Sequence, residues 1–130
     1  MKYLLILAMI VFSTQSYAAR YNVIFDENET LCIAQVKKTG GSTYYATVEY
    51  TGTWDGATLT FYHSPNNHVP LSSEALIIQD RSYTDVVVTA NGMFPAEFGT
   101  SRPSSPEYIC ATMTGAGSST EVLVKIYDNQ

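Results

Sequence analysis

The histidines His63 and His68 are the first residues in this chain whose spacing could support chemistry. They bracket a Ser-Pro-Asn-Asn segment, so two imidazole rings could face each other across a tight turn. A zinc site needs further ligands, and no third ligand is placed by spacing. The acidic run Asp26-Glu27-Asn28-Glu29 offers oxygen ligands for calcium, but it lacks the alternating spacing and the glycine of a calcium loop. We expect both groups to be solvated turn residues, and we predict no metal site and no cofactor.

Catalytic chemistry is not indicated by the remaining side chains. Covalent catalysis needs a serine or cysteine within reach of a histidine that is itself oriented by a third group. The serines are concentrated in turns, and none lies in a Gly-x-Ser-x-Gly elbow. Any two of the 12 acidic residues could meet in the fold, so a glycosidase pair stays open, although nothing singles one out. The sequence therefore predicts a protein that binds and is not an enzyme.

Aromatic residues are the better candidates for a binding surface. The chain holds 10 tyrosines and 1 tryptophan, and tyrosine suits recognition because it offers area, rigidity and a hydroxyl. Tyrosine also favours strands, so about half of these residues are expected to be ordinary sheet residues. Tyr45, Tyr62 and Tyr127 lie opposite the apolar positions of their segments and are predicted to be exposed. Trp54, at a turn tip, either contacts a sugar or protein partner or closes one end of the domain.

Short strands must position these side chains, because apolar and polar residues alternate along most of the chain. In residues 57–63, Ala57, Leu59 and Phe61 share one face, which is the period of a half-buried antiparallel strand. The Trp54-Asp55-Gly56 turn before it and the Asn91-Gly92 pair later are hairpin signals. We predict strands at residues 21–25, 30–36, 43–50, 57–63, 68–71, 75–79, 83–90, 93–98, 107–113 and 120–127, the eighth being an edge or bulged strand because of Pro95. About eight to ten short strands predict an all-β fold, a single antiparallel β-sandwich or jelly-roll-like domain.

The N-terminal segment has the layout of a secretory signal peptide. A basic start is followed by an apolar run over residues 4–12 and a polar end in which Ser16 and Ala18 suit a signal peptidase. The apolar run is shorter than the roughly 20 residues of a transmembrane helix, so we expect no stable membrane span after cleavage. The prediction divides the chain into residues 1–18, a signal peptide or an uncleaved apolar arm, and residues 19–130, the β-sandwich domain.

Cys32 and Cys110 are the chain's 2 cysteines. An even count in an exported chain predicts a disulfide. Closing a loop of this length would stabilise the fold by about 4 kcal/mol in the chain-entropy model. The alternative is two separate buried thiols.

The charge of the chain excludes several classes of partner. Its net charge is −5, and without Lys2 in the signal segment 6 basic residues remain against 12 acidic ones, a net charge of −6. An acidic domain with scattered cations is a poor candidate for nucleic-acid binding, because phosphate contacts dominate that affinity. The same charge disfavours anionic membrane surfaces.

A resemblance to a known group of proteins covers residues 43–127. The segment Tyr50-Thr-Gly-Thr-Trp-Asp-Gly-Ala-Thr-Leu-Thr-Phe-Tyr-His-Ser64, followed by Val69-Pro-Leu71, resembles small β-sandwich accessory proteins encoded among the head and tail genes of tailed bacteriophages. Thr89-Ala-Asn-Gly-Met-Phe94 and the segment from Tyr108 to Ile126 are similar as well. The resemblance implies a non-catalytic decoration-type protein of the virion, present in repeated copies or as a homo-oligomer and contacting other virion proteins. It implies no functional residues, because the shared motifs are turns and strands.

The signal peptide conflicts with that role, because tailed-phage particles assemble in the cytoplasm. Three interpretations stay open. Residues 1–18 could be an uncleaved arm that docks the domain on the particle. The protein could be a phage-encoded factor exported to the host envelope. It could also be a periplasmic or secreted binding module that shares the sandwich by convergence and binds a glycan or another envelope component.

Overall fold

The computed structural model describes residues 21–36, 44–71, 73–80, 82–98 and 107–128. Within these ranges the chain forms nine strands and no helix. They are β1 (Tyr21–Phe25), β2 (Thr30–Val36), β3 (Tyr44–Thr53), β4 (Thr58–Ser64), β5 (Leu76–Ile77), β6 (Val87–Val88), β7 (Gly92–Phe98), β8 (Glu107–Thr114) and β9 (Glu121–Asp128). The predicted signal peptide and the predicted turns at residues 38–42 and 100–106 lie outside the described residues. No described segment is a helix with the length and hydropathy to cross a bilayer.

The strands form two antiparallel sheets that pack face to face. Sheet A has the order β1-β9-β3-β7, and sheet B has the order β2-β8-β4-β5, with β6 also paired to β4. Both β5 and β6 run antiparallel to β4, at successive positions along it, so together they are one interrupted edge strand. Counted in this way, eight strands follow the order of a jelly roll built from two Greek keys. The predicted all-β sandwich with a jelly-roll-like topology is confirmed.

The alternation in the sequence fills the space between the sheets. Val122, Val124 and Ile126 on β9 of sheet A are fully buried, as are Leu59 and Phe61 on β4 of sheet B. Phe61 of sheet B meets Phe94 of sheet A with ring centroids 5.1 Å apart in an edge-to-face arrangement. Such aromatic pairs contribute about 0.5–1.5 kcal/mol beyond the burial of their area. The period-two pattern therefore identifies the core correctly.

The Trp54-Asp55-Gly56 turn forms, but the strands that it joins do not pair with each other. Ala57 N donates to Trp54 O at 2.9 Å, and Asp55 and Gly56 have φ angles of 46° and 84°, as in a type I′ turn. Because β3 lies in sheet A and β4 in sheet B, the hairpin prediction at this turn is wrong. The apolar faces of both strands must face each other across the core, so the turn carries the chain from one sheet to the other.

The hairpin prediction at Asn91-Gly92 is wrong for the same reason. The strand before it, β6, pairs with β4 in sheet B, and the strand after it, β7, pairs with β3 in sheet A. The Asn91 side chain instead forms hydrogen bonds with the β3–β4 region. Its Oδ1 accepts hydrogen bonds from Gly52 N at 3.0 Å and from Trp54 Nε1 at 2.8 Å. Asn91 therefore ties two inter-sheet connections together.

Four inter-sheet connections meet at this end of the sandwich, which we call the arch end: β1–β2, β3–β4, β6–β7 and β8–β9. Side chains of one connection bind the backbone of another. Asp55 Oδ2 accepts from Ser119 N at 3.0 Å, and Asn28 Oδ1 accepts from Ala116 N at 2.8 Å. The arch end is thus cross-linked by hydrogen bonds between segments that are far apart in sequence.

The edge strands account for the remaining differences from the predicted pattern. Strand β7 is the edge of sheet A, which suits Pro95 because proline has no N–H to donate to a neighbour. The predicted strand at residues 68–71 does not form; this stretch contains a cis Val69–Pro70 peptide bond and belongs to the β4–β5 connection. The predicted strands at 75–79 and 83–90 are each shortened to a strand of two residues, Leu76–Ile77 and Val87–Val88.

Candidate binding site

The four aromatic residues predicted to bind do not lie together. Trp54 is half-buried at the arch end, packs edge-to-face on Tyr50 with ring centroids 6.1 Å apart, and donates its Nε1 hydrogen to Asn91. Of the two roles considered for Trp54, the structure supports the closing of one end of the domain. Tyr62 lies on sheet B, whereas Tyr127 and Tyr45 lie on strands of sheet A.

The tyrosines of the two sheets have different surroundings. Tyr127 is half-buried, and its hydroxyl donates to Glu49 Oε2 at 3.1 Å. Burial and the bond to the Glu49 carboxylate raise the pKa of Tyr127. Tyr45 pairs with Glu97 on the β3–β7 ladder. Tyr62, in contrast, sits on the outer side of sheet B between Cys110 and Ile77 in register. Because Tyr62 lies on the other sheet from Tyr45 and Tyr127, no single patch unites the three tyrosines, and their role in binding stays a prediction.

The predicted pair Cys32 and Cys110 forms a disulfide. The two residues are directly opposite each other on β2 and β8, with their Cα atoms 3.9 Å apart. Cys110 is fully buried although it occupies an outward position, and Tyr62 is its register neighbour on the other side. The disulfide therefore joins two strands of sheet B on the outer side, outside the core between the sheets.

The outer side of sheet B is uncharged at the outward positions of its described strands. The residues concerned are Thr30, Cys32, Gln35, Thr58, Thr60, Tyr62, Ser64, Ile77, Val87, Tyr108, Cys110, Thr112 and Thr114. Sheet A differs, because Glu49 and Lys125 are register neighbours on its outer side. Sheet B thus offers a surface of hydroxyls, aromatic rings and aliphatic groups.

The interrupted edge strand of sheet B carries a loop at residues 79–85, which we call the edge loop. Ile78 N and Val86 O both bond to Phe61 of β4, and Val86 N bonds to Ile78 O. The loop is closed by a bridge between Gln79 and Asp85. Ile78 and Val86 are buried, so the two ends of the loop are held in the core.

Asp80 organises the tip of the edge loop. Its Oδ1 accepts from Ser82 N at 2.8 Å and from Thr84 N at 3.0 Å, and Tyr83 N donates to Asp80 O at 3.0 Å. A carboxylate that accepts backbone N–H bonds fixes a turn in this way. These bonds hold the backbone on both sides of Tyr83, whose side chain is 84% exposed.

A groove lies beside this edge. It is open to solvent, has a volume of about 510 Å³ and is lined by His63, Ala75, Leu76, Ile77, Gln79 and Asp85. Gln79 Nε2 donates to Asp85 Oδ1 at 3.0 Å, so the two polar side chains orient each other. The volume lies within the range of roughly 300–1,000 Å³ that is usual for ligand sites. We call this concavity the edge groove.

Exposed apolar side chains are concentrated in the chain segment that supplies most of the lining of the edge groove. Of the six large apolar residues that are exposed in the described part of the chain, Val69, Leu76, Tyr83 and Val87 all lie between residues 69 and 87. The other two are on edge strands of sheet A. Clustering of this kind marks interaction surfaces more often than single exposed residues do.

The acidic run at the β1–β2 connection is the one group of potential metal ligands that the described residues bring together. Carboxylate oxygens of Asp26, Glu27 and Glu29 lie within 4.8 Å of one another. Partial burial, followed by repulsion from Glu27 and Asp26, raises the pKa of the Glu29 carboxyl. Exposed carboxylates commonly cluster without an ion, and the run has no other feature that points to a ligand.

The edge groove was not predicted from sequence. The polar stretch at 79–85 between two apolar segments is a visible signal for a loop, but the sequence assigned Tyr83 to the start of a strand. Nothing in the sequence reveals that Ile78 and Val86 attach to the same residue of β4. His63 was considered, but only as a possible metal ligand paired with His68.

Comparisons with known proteins place the chain in no family. No protein-family model matches the sequence, and no curated protein matches it. Among solved structures, the fold is similar to the C-terminal domain of EclA, a sugar-binding protein, with a TM-score of 0.42 and 15% sequence identity over 84% of this chain and 78% of that chain. A likeness this distant carries no argument about function.

Proposed function

We propose that this chain is an exported, disulfide-stabilised jelly-roll module that binds a component of the cell envelope through the edge groove and catalyses no reaction. One observation carries the proposal: four of the six exposed large apolar side chains of the described residues lie in the segment 69–87, and this segment also supplies most of the lining of a groove with oriented polar groups. This combination is usual for binding sites, in which apolar contacts supply affinity and a few placed polar groups supply selectivity.

The disulfide supports the exported compartment. Disulfides persist in secreted and periplasmic proteins and are rare in a reducing cytoplasm. The Cys32–Cys110 bond agrees with the signal-peptide layout of residues 1–18. It weighs against assembly of the protein on a particle in the cytoplasm.

The test uses the full chain expressed in a bacterial host, with its N-terminus and thiol content determined in the exported fraction. We expect a mature start at Ala19, no free thiols, and co-sedimentation of the mature protein with the host envelope fraction. Tyr83→Gly should reduce co-sedimentation, while Met93→Ala, a change at another exposed apolar residue on sheet A, should not. Retention of an uncleaved chain in the cytoplasm, or equal co-sedimentation of both variants, would contradict the proposal.

The phage-particle role implied by the sequence resemblance stays a second proposal. The jelly-roll order of the strands supports it, because this topology also serves in viral capsid proteins. That support is an analogy at the level of the fold. Mass spectrometry of purified particles tests it: the chain should be present with residues 1–18 attached, and its absence from the particle would contradict this role.

A further inference from the structure

Tyr83 occupies a backbone conformation that its own side chain disfavours. Its φ angle is +61°, in the left-handed region that glycine and asparagine enter far more readily than tyrosine. Its side chain is 84% exposed, so burial does not compensate for this disfavoured conformation. A residue that breaks a local preference without a gain in packing is expected where function requires it.

Asp55 is the other non-glycine residue at positive φ among the described residues. In its case the fold itself explains both the conformation and the residue type. Its φ angle is +46°, but aspartate tolerates this region well. Its Oδ2 also accepts a hydrogen bond from Ser119 N. The hydrogen bonds to Asp80 hold the backbone at Tyr83 in this conformation, but tyrosine tolerates the conformation poorly and its exposed ring gains no packing from it. The comparison indicates that the ring of Tyr83 is kept for a contact outside the chain.

The surroundings of Tyr83 specify what that contact can be. Gln79 and Asp85 close the loop that carries it and line the edge groove. Their mutual hydrogen bond uses one amide hydrogen and one carboxylate oxygen. An amide and a carboxylate have further donor and acceptor capacity beyond this bond. Such groups line the groove together with the aliphatic side chains of Leu76 and Ile77, at the base of the loop that carries the exposed ring of Tyr83. They match a molecule with hydroxyls on its rim and C–H groups on its faces.

A protein partner fits this edge less well. Peptides that bind a sheet edge add a strand and need a continuous row of backbone groups. Here the edge is broken by the loop into β5 and β6, which are two residues each. An anionic partner also fits poorly, because the Asp85 carboxylate lines the groove and would repel it, and the chain carries a net charge of −5.

We propose that the edge groove binds a neutral saccharide, with the ring of Tyr83 against a sugar face and with Gln79 and Asp85 hydrogen-bonded to its hydroxyls. This inference rests on the proposed function, because it names the ligand class of the same site. The interaction requires no metal and no covalent step.

The test is titration calorimetry of the mature, oxidised protein with cellohexaose, chitohexaose, maltohexaose and laminarihexaose, and with polygalacturonate and heparin as anionic probes. We expect at least one neutral hexasaccharide to bind. Tyr83→Gly should then raise its Kd at least about tenfold, and Asp85→Asn about fivefold, because a charge-assisted hydrogen bond becomes a neutral one. Tyr83→Phe should keep the affinity within about threefold, since it retains the ring.

The variants separate lost binding from lost folding. Tyr83→Gly removes an exposed side chain and relieves the backbone, so its Tm should be unchanged or higher. Met93→Ala on sheet A should leave the affinity unchanged. Binding only of the anionic probes, or binding that Tyr83→Gly leaves intact, would overturn the inference. If no saccharide binds while the exported protein still sediments with the envelope through Tyr83, the saccharide inference fails and the proposed function stands.

Discussion

The disulfide gives the most quantitative prediction, because its effect can be calculated from its position. The bond Cys32–Cys110 has a sequence separation of 78. In the chain-entropy model, a loop of this length removes about 15 cal/mol/K from the unfolded state, or about 4.5 kcal/mol at 25 °C. A domain of about 110 residues has a free energy of unfolding of roughly 5–15 kcal/mol. Reduction should therefore remove a large share of the stability without making a new cavity.

The assay is urea unfolding followed by the fluorescence of Trp54, the single tryptophan, with and without reductant. We expect the free energy of unfolding to fall by about 4–5 kcal/mol on reduction. The unfolding entropy of a domain of this size is about 0.23 kcal/mol/K, so the Tm should fall by about 20 °C. The m-value should rise, because an unfolded chain without the cross-link exposes more surface.

A double variant, Cys32→Ala with Cys110→Ala, serves as the comparison. Cys110 is fully buried, so this variant should lose somewhat more stability than the reduced wild type, through the loss of sulfur packing. If the reduced protein, with its two thiols confirmed by alkylation, unfolds within about 1 kcal/mol of the oxidised protein, the loop-closure reasoning is refuted.

Three further predictions concern the arch end and the acidic run. Gly52→Ala should destabilise the fold by more than about 2 kcal/mol, because the added Cβ would meet a backbone carbonyl of β9 at a position with a φ of +147°. Gly56→Ala should cost only about 1 kcal/mol, because its added Cβ would make ordinary contacts. Equal losses of unfolding free energy in urea would contradict this difference. Asn91→Ala should lower the free energy of unfolding by about 1–3 kcal/mol and shift the fluorescence emission of Trp54, because the Asn91 side-chain carbonyl accepts hydrogen bonds from Gly52 N and Trp54 Nε1. An unchanged emission spectrum and urea midpoint would contradict this role of Asn91. The raised pKa of Glu29 means that the folded state binds the proton of the Glu29 carboxyl more tightly than the unfolded state does. The protonated Glu29 therefore contributes to the free energy of unfolding below the normal carboxyl pKa, and this contribution is lost as the pH rises through the raised pKa. Glu29→Gln should flatten that part of the stability profile, and an unaltered pH dependence would contradict the assignment.

Alternation predicted the strands and the core well, because the two-residue period of a strand is a local property of the sequence. The strands at 21–25 and 30–36 were predicted to the residue, and Val122, Val124 and Ile126 were correctly placed on one buried face. The identity of the partner strands could not be predicted in this way. The turns at Asp55-Gly56 and Asn91-Gly92 have the chemistry of hairpins, yet each joins two sheets. Turn residues specify how sharply the chain bends, whereas long-range packing decides which strands pair.

The candidate site was beyond sequence reasoning for a related reason. The edge groove exists because residues 79–85 leave the edge of sheet B and return to it, with both ends bonded to Phe61. The positive φ of Tyr83 follows from the hydrogen bonds to Asp80 and has no signature of its own in the sequence. Conversely, Trp54 stood out because of its size and its turn position, but those features serve the packing of the arch end.

The central claim is that the edge segment, residues 75–88, is the surface through which this chain binds its partner. Hydrogen–deuterium exchange of the mature, oxidised protein, measured alone and bound to the envelope fraction with which it sediments, tests this most directly. We predict that binding increases protection in peptides covering residues 75–88, and that the Tyr83→Gly variant shows no such increase. Increased protection on the strands of sheet A with none at the edge segment would contradict the claim.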